Sequence, residues 1–209
     1  MIVDPAQLLI FIPAALALNL TPGSDMLFCL GQGLKSGPRA GLAASAGIAT
    51  GSVLHTLLAA FGLAALLAAY PLAFEIVRWA GVAYLVWLGI QSFRSRGAPL
   101  TAGPVVAGGA WRAWRDGTIV NLFNPKVAIF VLAFIPQFVD PARGSPFLQF
   151  LVYGAILNIG GTIINGLVGM FSGKIGAAFT AHQGAARLYR WLTGAVFLGL
   201  AAKLAFERR

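Results

Sequence analysis

The sequence predicts an all-α integral membrane protein of six transmembrane helices, arranged as two inverted three-helix repeats. The first and fourth helices are expected to be interrupted, at Pro22-Gly23 and at Pro125. Three observations carry this prediction. The 209 residues are 58% hydrophobic and 10% charged, with a mean hydropathy of +0.81. A soluble domain carries about 25% charged residues, so this chain cannot cover itself with a water-compatible surface. Six apolar runs, each near the roughly 20 residues that a bilayer requires, are separated by polar or basic turns. Two of these runs hold a helix-breaking proline beside a charge of opposite sign: Asn19-Leu20-Thr21-Pro22-Gly23-Ser24-Asp25 and Asn121-Leu122-Phe123-Asn124-Pro125-Lys126.

The first run opens with a helix start, Asp4 as N-cap, Pro5 at the first helical position and Gln7 completing a capping box. It continues from Ala6 through the Thr21-Pro22-Gly23 break to Gly31, and Lys35 and Arg39 mark a short basic turn. Gly33, Gly37 and Gly41 recur every fourth residue and are followed by Gly47 and Gly51. Small residues at such spacing let helices approach closely in lipid. No strand precedes the series, so it is read as packing and not as a phosphate loop. The second span covers Leu42 to Ala69, with His55 at its middle, and ends at Tyr70-Pro71. The third runs from Leu72 to Phe93, with Trp79, Tyr84 and Trp87 as interface or packing aromatics.

The longest polar connection is predicted from Arg94 to Asp116. Its alternating Trp111, Arg112, Trp114 and Arg115 suit a segment at headgroup level. The fourth span, Thr118 to Val139, contains Asn124-Pro125-Lys126. Asp140-Pro141 and Ser145-Pro146 are turn and helix-start signals. The fifth span, Phe147 to Phe171, carries Asn158, Thr162 and Asn165 at i, i+4 and i+7, hence on one helical face. A polar turn from Ser172 to Arg187 precedes the sixth span, Leu188 to Ala205.

The loops set the orientation. Turns after the first, third and fifth spans hold Lys35, Arg39, Arg94, Arg96, Arg112, Arg115, Lys174, Arg187 and Arg190. The opposite side holds Arg78, Arg143, Lys203, Arg208 and Arg209. The positive-inside rule makes the first group cytoplasmic and puts both termini on the outer side of the cell membrane. Repeats of three spans each, about residues 1–95 and 117–209 joined by the connection at about 94–116, are then inverted relative to each other. All of it is read as one transmembrane domain. The net charge of +9 lies mostly between apolar runs, which fits anionic headgroups and not nucleic acid. Cys29 is the only cysteine, so an internal disulfide and a cysteine-based zinc site are excluded.

The breaks carry the candidate site. In hydrocarbon an unpaired backbone group costs several kcal/mol, so a break survives only where protein or trapped water receives the freed groups. Paired interrupted helices are the best sequence pointer to a transporter's binding site. The expected substrate- and ion-binding residues are therefore Asn19, Thr21, Pro22, Gly23, Asp25, Asn121, Asn124, Pro125 and Lys126. Asp25 and Lys126 are costly intramembrane charges, read either as site residues or as a buried structural ion pair. His55, Asn158, Thr162 and Asn165 are expected to line the cavity; the alternative for them is helix packing.

With those residues in view, the chain resembles the LysE/RhtB family of exporters of amino acids and related small metabolites. The likeness rests on Thr21-Pro22-Gly23, Gly33-Leu34, Gly37-Pro38-Arg39-Ala40-Gly41-Leu42 and Gly62-Leu63-Ala64-Ala65-Leu66. It continues through Gly81-Val82-Ala83-Tyr84-Leu85, Leu88-Gly89, Asn121 to Lys126, and Phe134-Ile135-Pro136-Gln137-Phe138. The family usually has a second proline where this chain has Ser24. The resemblance implies proton- or cation-coupled efflux, with a proton as the expected coupling ion. The partners it implies are a small-molecule substrate and the lipid bilayer, with no nucleic acid and no cofactor or metal, and homo-oligomerisation is compatible with it. An intramembrane enzyme is the first alternative, but the chain has no HExxH, no GxSxG and only His55 and His182. The second alternative is a non-transporting membrane scaffold, for which two charged helix breaks are a needless cost.

Overall fold

The computed structural model describes residues 2–69, 71–94, 108–175 and 183–206; Tyr70, Arg96, His182, Arg208 and Arg209, invoked above, lie outside them. Among the described residues the chain is all helical, without a strand. Helix α1 (Pro5–Leu20) and α2 (Ser24–Ser36) form the first stretch, bent by 49° at the break. Long helices α3 (Pro38–Ala69) and α4 (Pro71–Arg94) follow. Helix α5 (Ala110–Leu122) and α6 (Pro125–Ile129) form a second bent stretch. It runs on as a π turn at Phe130–Phe134 and a 3₁₀ turn at Ile135–Phe138, with a bend of 52° at the break. Helices α7 (Pro146–Met170) and α8 (Gln183–Phe206) complete the fold. Pro38–Gly62 and Pro146–Met170 are each long and apolar enough to cross a membrane; counting each bent pair as one span makes four.

Capping explains several boundaries. Asp4 accepts from the Ala6 amide at 2.9 Å, and Ser145 caps α7 ahead of Pro146. Gly37 ends α2 with φ of 83°, a conformation that a side chain would strain, and Pro38 then starts α3. Two boundaries differ from expectation. Residues Trp111 to Asp116 are not connection but the first turns of α5, held because Thr118 and Trp114 bond to Gly47 and Thr50 on α3. Residues 172–175 are also helical, and Arg187 already lies within α8. The π and 3₁₀ turns have a local cause. Pro136 has no N–H for the ladder and crowds the preceding turn, so the backbone cannot continue as a regular α-helix.

The glycine series works by contact. A Cβ on Gly41 would lie 2.5 Å from the Gly169 carbonyl oxygen, and one on Gly117 would lie 2.5 Å from that of Ala44. Gly33 faces Gly169 and Ser172, and Gly47 faces the Trp114 carbonyl. The backbones of α2, α3, α5 and α7 therefore touch directly, which packs the site-bearing helices into one block. Gly41→Ala is expected to cost about 1–3 kcal/mol, because backbone cannot move aside as a side chain can. Gly62, with nothing within 4 Å, is the control, and Gly62→Ala should be neutral or better. Unfolding midpoints of the two variants in detergent measure the contrast; equal midpoints would remove the packing argument.

The largest core cluster runs along α1 from Phe11 to Leu18, with its aromatic residues gathered around Phe11. Phe11, Phe130, Phe134, Phe138 and Tyr153 are all buried and in ring contact, with Phe11 and Tyr153 centroids 4.7 Å apart and Phe11 and Phe138 5.2 Å apart. Beyond this aromatic plug lies an open pocket of about 270 Å³, lined by Asp4, Gln7, Phe138, Asp140 and Arg143. Arg143 bridges Asp4 at 2.7 Å and Asp140 at 3.5 Å there.

Candidate functional site

Each proline orphans the carbonyl four residues before it, since the N–H that would complete the helical bond is missing. For Pro22 that carbonyl belongs to Leu18; for Pro125 it belongs to Asn121. A side chain from another element takes each one. Lys126 donates from Nζ to the Leu18 oxygen at 3.1 Å and the Thr21 oxygen at 2.7 Å. His55, on α3, lies with Nε2 3.2 Å from the Asn121 oxygen. A carbonyl only accepts, so Nε2 carries the proton in this contact. The Asn121 oxygen also accepts from the Asn124 amide at 2.9 Å.

The N-terminal ends of the second halves are served as well. Asp25 is buried in the first turn of α2, where its negative charge suits the helix dipole. Asn124 accepts from the Lys126 amide at 3.0 Å and so caps α6. The two breaks then lock together across the molecule. Asn121 Nδ2 donates to Asp25 Oδ2 at 2.8 Å, while Lys126 reaches back to the end of α1. Gly23 leaves the space this requires, because a Cβ there would lie 3.1 Å from Lys126 Nζ. Ion pairs among the described residues include Glu75 with Arg78, Asp116 with Arg115, and Arg143 with Asp4 and Asp140; Asp25 and Lys126 form no direct pair.

The polar face of α7 forms the facing wall. Asn158 donates to the Ala49 oxygen at 2.8 Å, and its own oxygen accepts from Thr162 Oγ1 at 3.0 Å. Asn19 donates to the Leu157 oxygen at 2.9 Å, resting in the gap left by Gly160 and Gly161, where an added Cβ would lie about 3 Å from its amide. Asn165 is buried. Together Asn19, Asp25, Asn121, Asn158, Thr162 and Asn165 line one cavity, with Ser52 and the apolar Val127 and Leu157 among the remaining wall residues. The cavity has a volume of about 30 Å³, room for about two water molecules. Thr21, Pro22, Gly23, Asn124, Pro125, Lys126 and His55 stand behind this wall and shape it without lining it. Among the described residues no group of His, Cys, Asp and Glu gathers to hold a metal ion.

Three contributors are not among the site residues expected from the sequence. Ser45 donates to the Thr162 oxygen at 2.9 Å, Ser52 lines the cavity, and Tyr84 donates to the Lys126 oxygen at 3.2 Å. Ser45 and Ser52 are seven residues apart on α3, one face of a helix. That spacing was available, but it lies within a stripe of small residues read only as packing.

A family model described as LysE type translocator matches residues 16–208. An uncharacterized membrane protein of Vibrio cholerae is 42% identical over 147 residues, covering 70% of this chain and 71% of that one. The homoserine/homoserine lactone efflux protein of Salmonella typhimurium is 38% identical over 137 residues, 66% of either chain. The leucine efflux protein of an Enterobacter strain is 30% identical over 199 residues, 93% of either chain. No solved structure matches.

Proposed function

The chain belongs to the LysE type translocator family, and from that premise we propose that it is a secondary active exporter of amino acids or closely related small polar metabolites. Its proposed place is the cell membrane, with six spans, both termini outside, and two inverted repeats at about residues 1–95 and 117–209. Part of the helix pairing supports the repeats, while the packing of α2 on α3 has no comparable counterpart between the fourth stretch and α7. Exchanging the first three stretches for the last three carries the contact of α3 with α5 onto that of α7 with α1 and α2. The pairs α3 with α7 and α4 with α8 map onto themselves. An inverted repeat built about an axis in the membrane plane predicts such a pattern.

The observation that carries the transport reading is the joining of the two breaks around one polar cavity that holds a buried carboxylate. Asp25 is proposed to receive the substrate ammonium or the coupling proton, and the amides of Asn19, Asn121, Asn158 and Asn165 to orient the rest. Lys126 and His55 keep the opened backbone satisfied. A cavity of about 30 Å³ cannot hold an amino acid, and the aromatic plug separates it from the pocket at Asp4 and Arg143. The conformation is therefore closed toward that end. Transport requires the repeats to rock until the cavity opens to one side and then the other.

Proteoliposomes carrying the full chain, with imposed pH or sodium gradients and a panel including homoserine and leucine, test this directly. Gradient-driven export of at least one amino acid is expected; no movement of any panel member under any gradient would remove the reading. Topology is checked separately by single-cysteine labelling in a Cys29→Ala background. Cysteines at Lys35 and at Arg143 should label from opposite sides, and labelling from the same side contradicts the orientation.

A further inference from the structure

We infer that the seam between α2 and α5 is the entry gate on the cytoplasmic side, and that Gln32 lines the path it opens toward Asp25. This rests on the exporter reading and on its proposed orientation. Asp25, Cys29, Gln32 and Ser36 are spaced i, i+4, i+7 and i+11 along α2, so they share one face of that helix. The contacts of that face lead to α5. Asp25 accepts from Asn121, in the last turn of α5, at 2.8 Å. Cys29 belongs to a small buried cluster with Ala113 of α5 and with Ala40, Ala44 and Ile48 of α3. At the far end Ser36 accepts from the Gly108 amide, just ahead of α5, at 3.4 Å. The seam thus runs from the cavity to the end where the basic Lys35, Arg112 and Arg115 stand.

Gln32 is the member of this face that packing does not explain. It is 1% exposed, and its Oε1 has no hydrogen-bond partner among the described residues. A buried acceptor left unpaired destabilises the conformation that buries it, so this group opposes closure. When α2 and α5 part, water or a passing polar solute reaches Oε1 and relieves that cost. Both helices are free to part in this way. Each has 13 residues and ends in non-helical residues on both sides, α2 at Thr21–Gly23 and Gly37, α5 at Gly109 and Phe123–Asn124. In the proposed inverted repeat α5 corresponds to α1, and α2 to the helical turns after Pro125. The seam is then the counterpart of the plug in which Phe11 of α1 meets Phe130, Phe134 and Phe138. Large rings close the outer end, whereas Cys29, Ala113 and Gln32 close the inner one. The inner closure buries less apolar area and so holds less strongly.

The tests use the full chain in inside-out vesicles with labelled L-leucine or L-homoserine. Gln32→Leu keeps similar bulk and removes the unpaired oxygen. It should unfold no earlier than the parent in detergent, yet move substrate about 5- to 10-fold more slowly, the shift toward the shut state that one unpaired polar group can produce. A residue that only packed would lose stability and transport together; that result, or transport at the parent's rate, overturns the role of Gln32. The gate is tested in a Cys29→Ala background. Gln32→Cys should react with 2-(trimethylammonium)ethyl methanethiosulfonate added on the cytoplasmic side and not on the outer side; protection from the cytoplasmic side throughout turnover overturns the gate. Cysteines at Ser36 and Gly108, once cross-linked, should stop transport until reductant is added, and transport that continues with α2 and α5 joined overturns it as well. Each of these failures leaves the exporter reading standing. If the parent chain moves neither labelled amino acid, the exporter reading itself fails and the inference falls with it.

Discussion

Lys126→Met is expected to lower stability by about 2–5 kcal/mol and to stop efflux, because it removes the donor that holds the first helix break together. The argument starts from Pro22, which leaves the Leu18 carbonyl without its helical partner. Lys126 supplies that partner and takes the Thr21 oxygen as well, at 3.1 and 2.7 Å. Methionine fills similar space but donates nothing, so two carbonyls at the end of α1 lose their partners in surroundings poor in water. For a chain of this size the loss corresponds to a fall in unfolding midpoint of roughly 10 °C. Denaturation of the purified variant in detergent measures it. A Met variant that unfolds like the parent would show that the lysine does not hold the break, and would free it for a carboxylate instead.

Much of this architecture can be read from residue types alone, and the reasons are local. Pro22 and Pro125 each remove a helical donor, and lipid requires that the freed carbonyl be answered, although Pro13 does the same within a continuous α1. The two bends of 49° and 52° fall where those prolines are. The polar face of Asn158, Thr162 and Asn165 follows from helical spacing, and it does turn to the cavity. What spacing cannot supply is which side chain answers which carbonyl. Asp25 and Lys126 read in sequence as a pair of opposite charges; in space they form no direct ion pair, Asp25 meeting Asn121 and Lys126 meeting the backbone, although each lies within electrostatic reach of the other. That choice depends on the depth and rotation of four helices, which tertiary packing alone sets. His55 leaves the least trace in the sequence. A lone histidine has no partner in its own segment, and its contact, the Asn121 carbonyl, belongs to the backbone and leaves no mark in the sequence. A rule was nonetheless available: the residue four before each proline owns an orphan oxygen, so Leu18 and Asn121 could have been named as seats for a donor.

Asp25→Asn, unlike Lys126→Met, should leave the fold intact while removing uphill export. Asparagine has the same shape, and its side-chain oxygen can still accept from Asn121 Nδ2, so the contact of 2.8 Å that joins the breaks survives. The charge does not survive. Asp25 is 7% exposed, in the first turn of α2, and is the one charged group in the wall of the cavity. Without it an incoming ammonium exchanges water for neutral amides only, and loses a charge-assisted bond that contributes about 1.5–3 kcal/mol, or about 10- to 100-fold in affinity. If the same carboxylate also carries the coupling proton, the variant loses more than affinity. Asparagine cannot be protonated and released in a transport cycle, so accumulation against a gradient should vanish even at saturating substrate, while slow downhill exchange persists. Two measurements on one preparation separate these effects: counterflow at high substrate, and uphill export under an imposed pH gradient. The expected pattern is an unfolding midpoint like the parent's, weakened counterflow and no uphill export. A folded Asn variant that exports uphill within about threefold of the parent would remove Asp25 from the site, since that difference is under 1 kcal/mol and too small for a lost ion contact in a buried cavity.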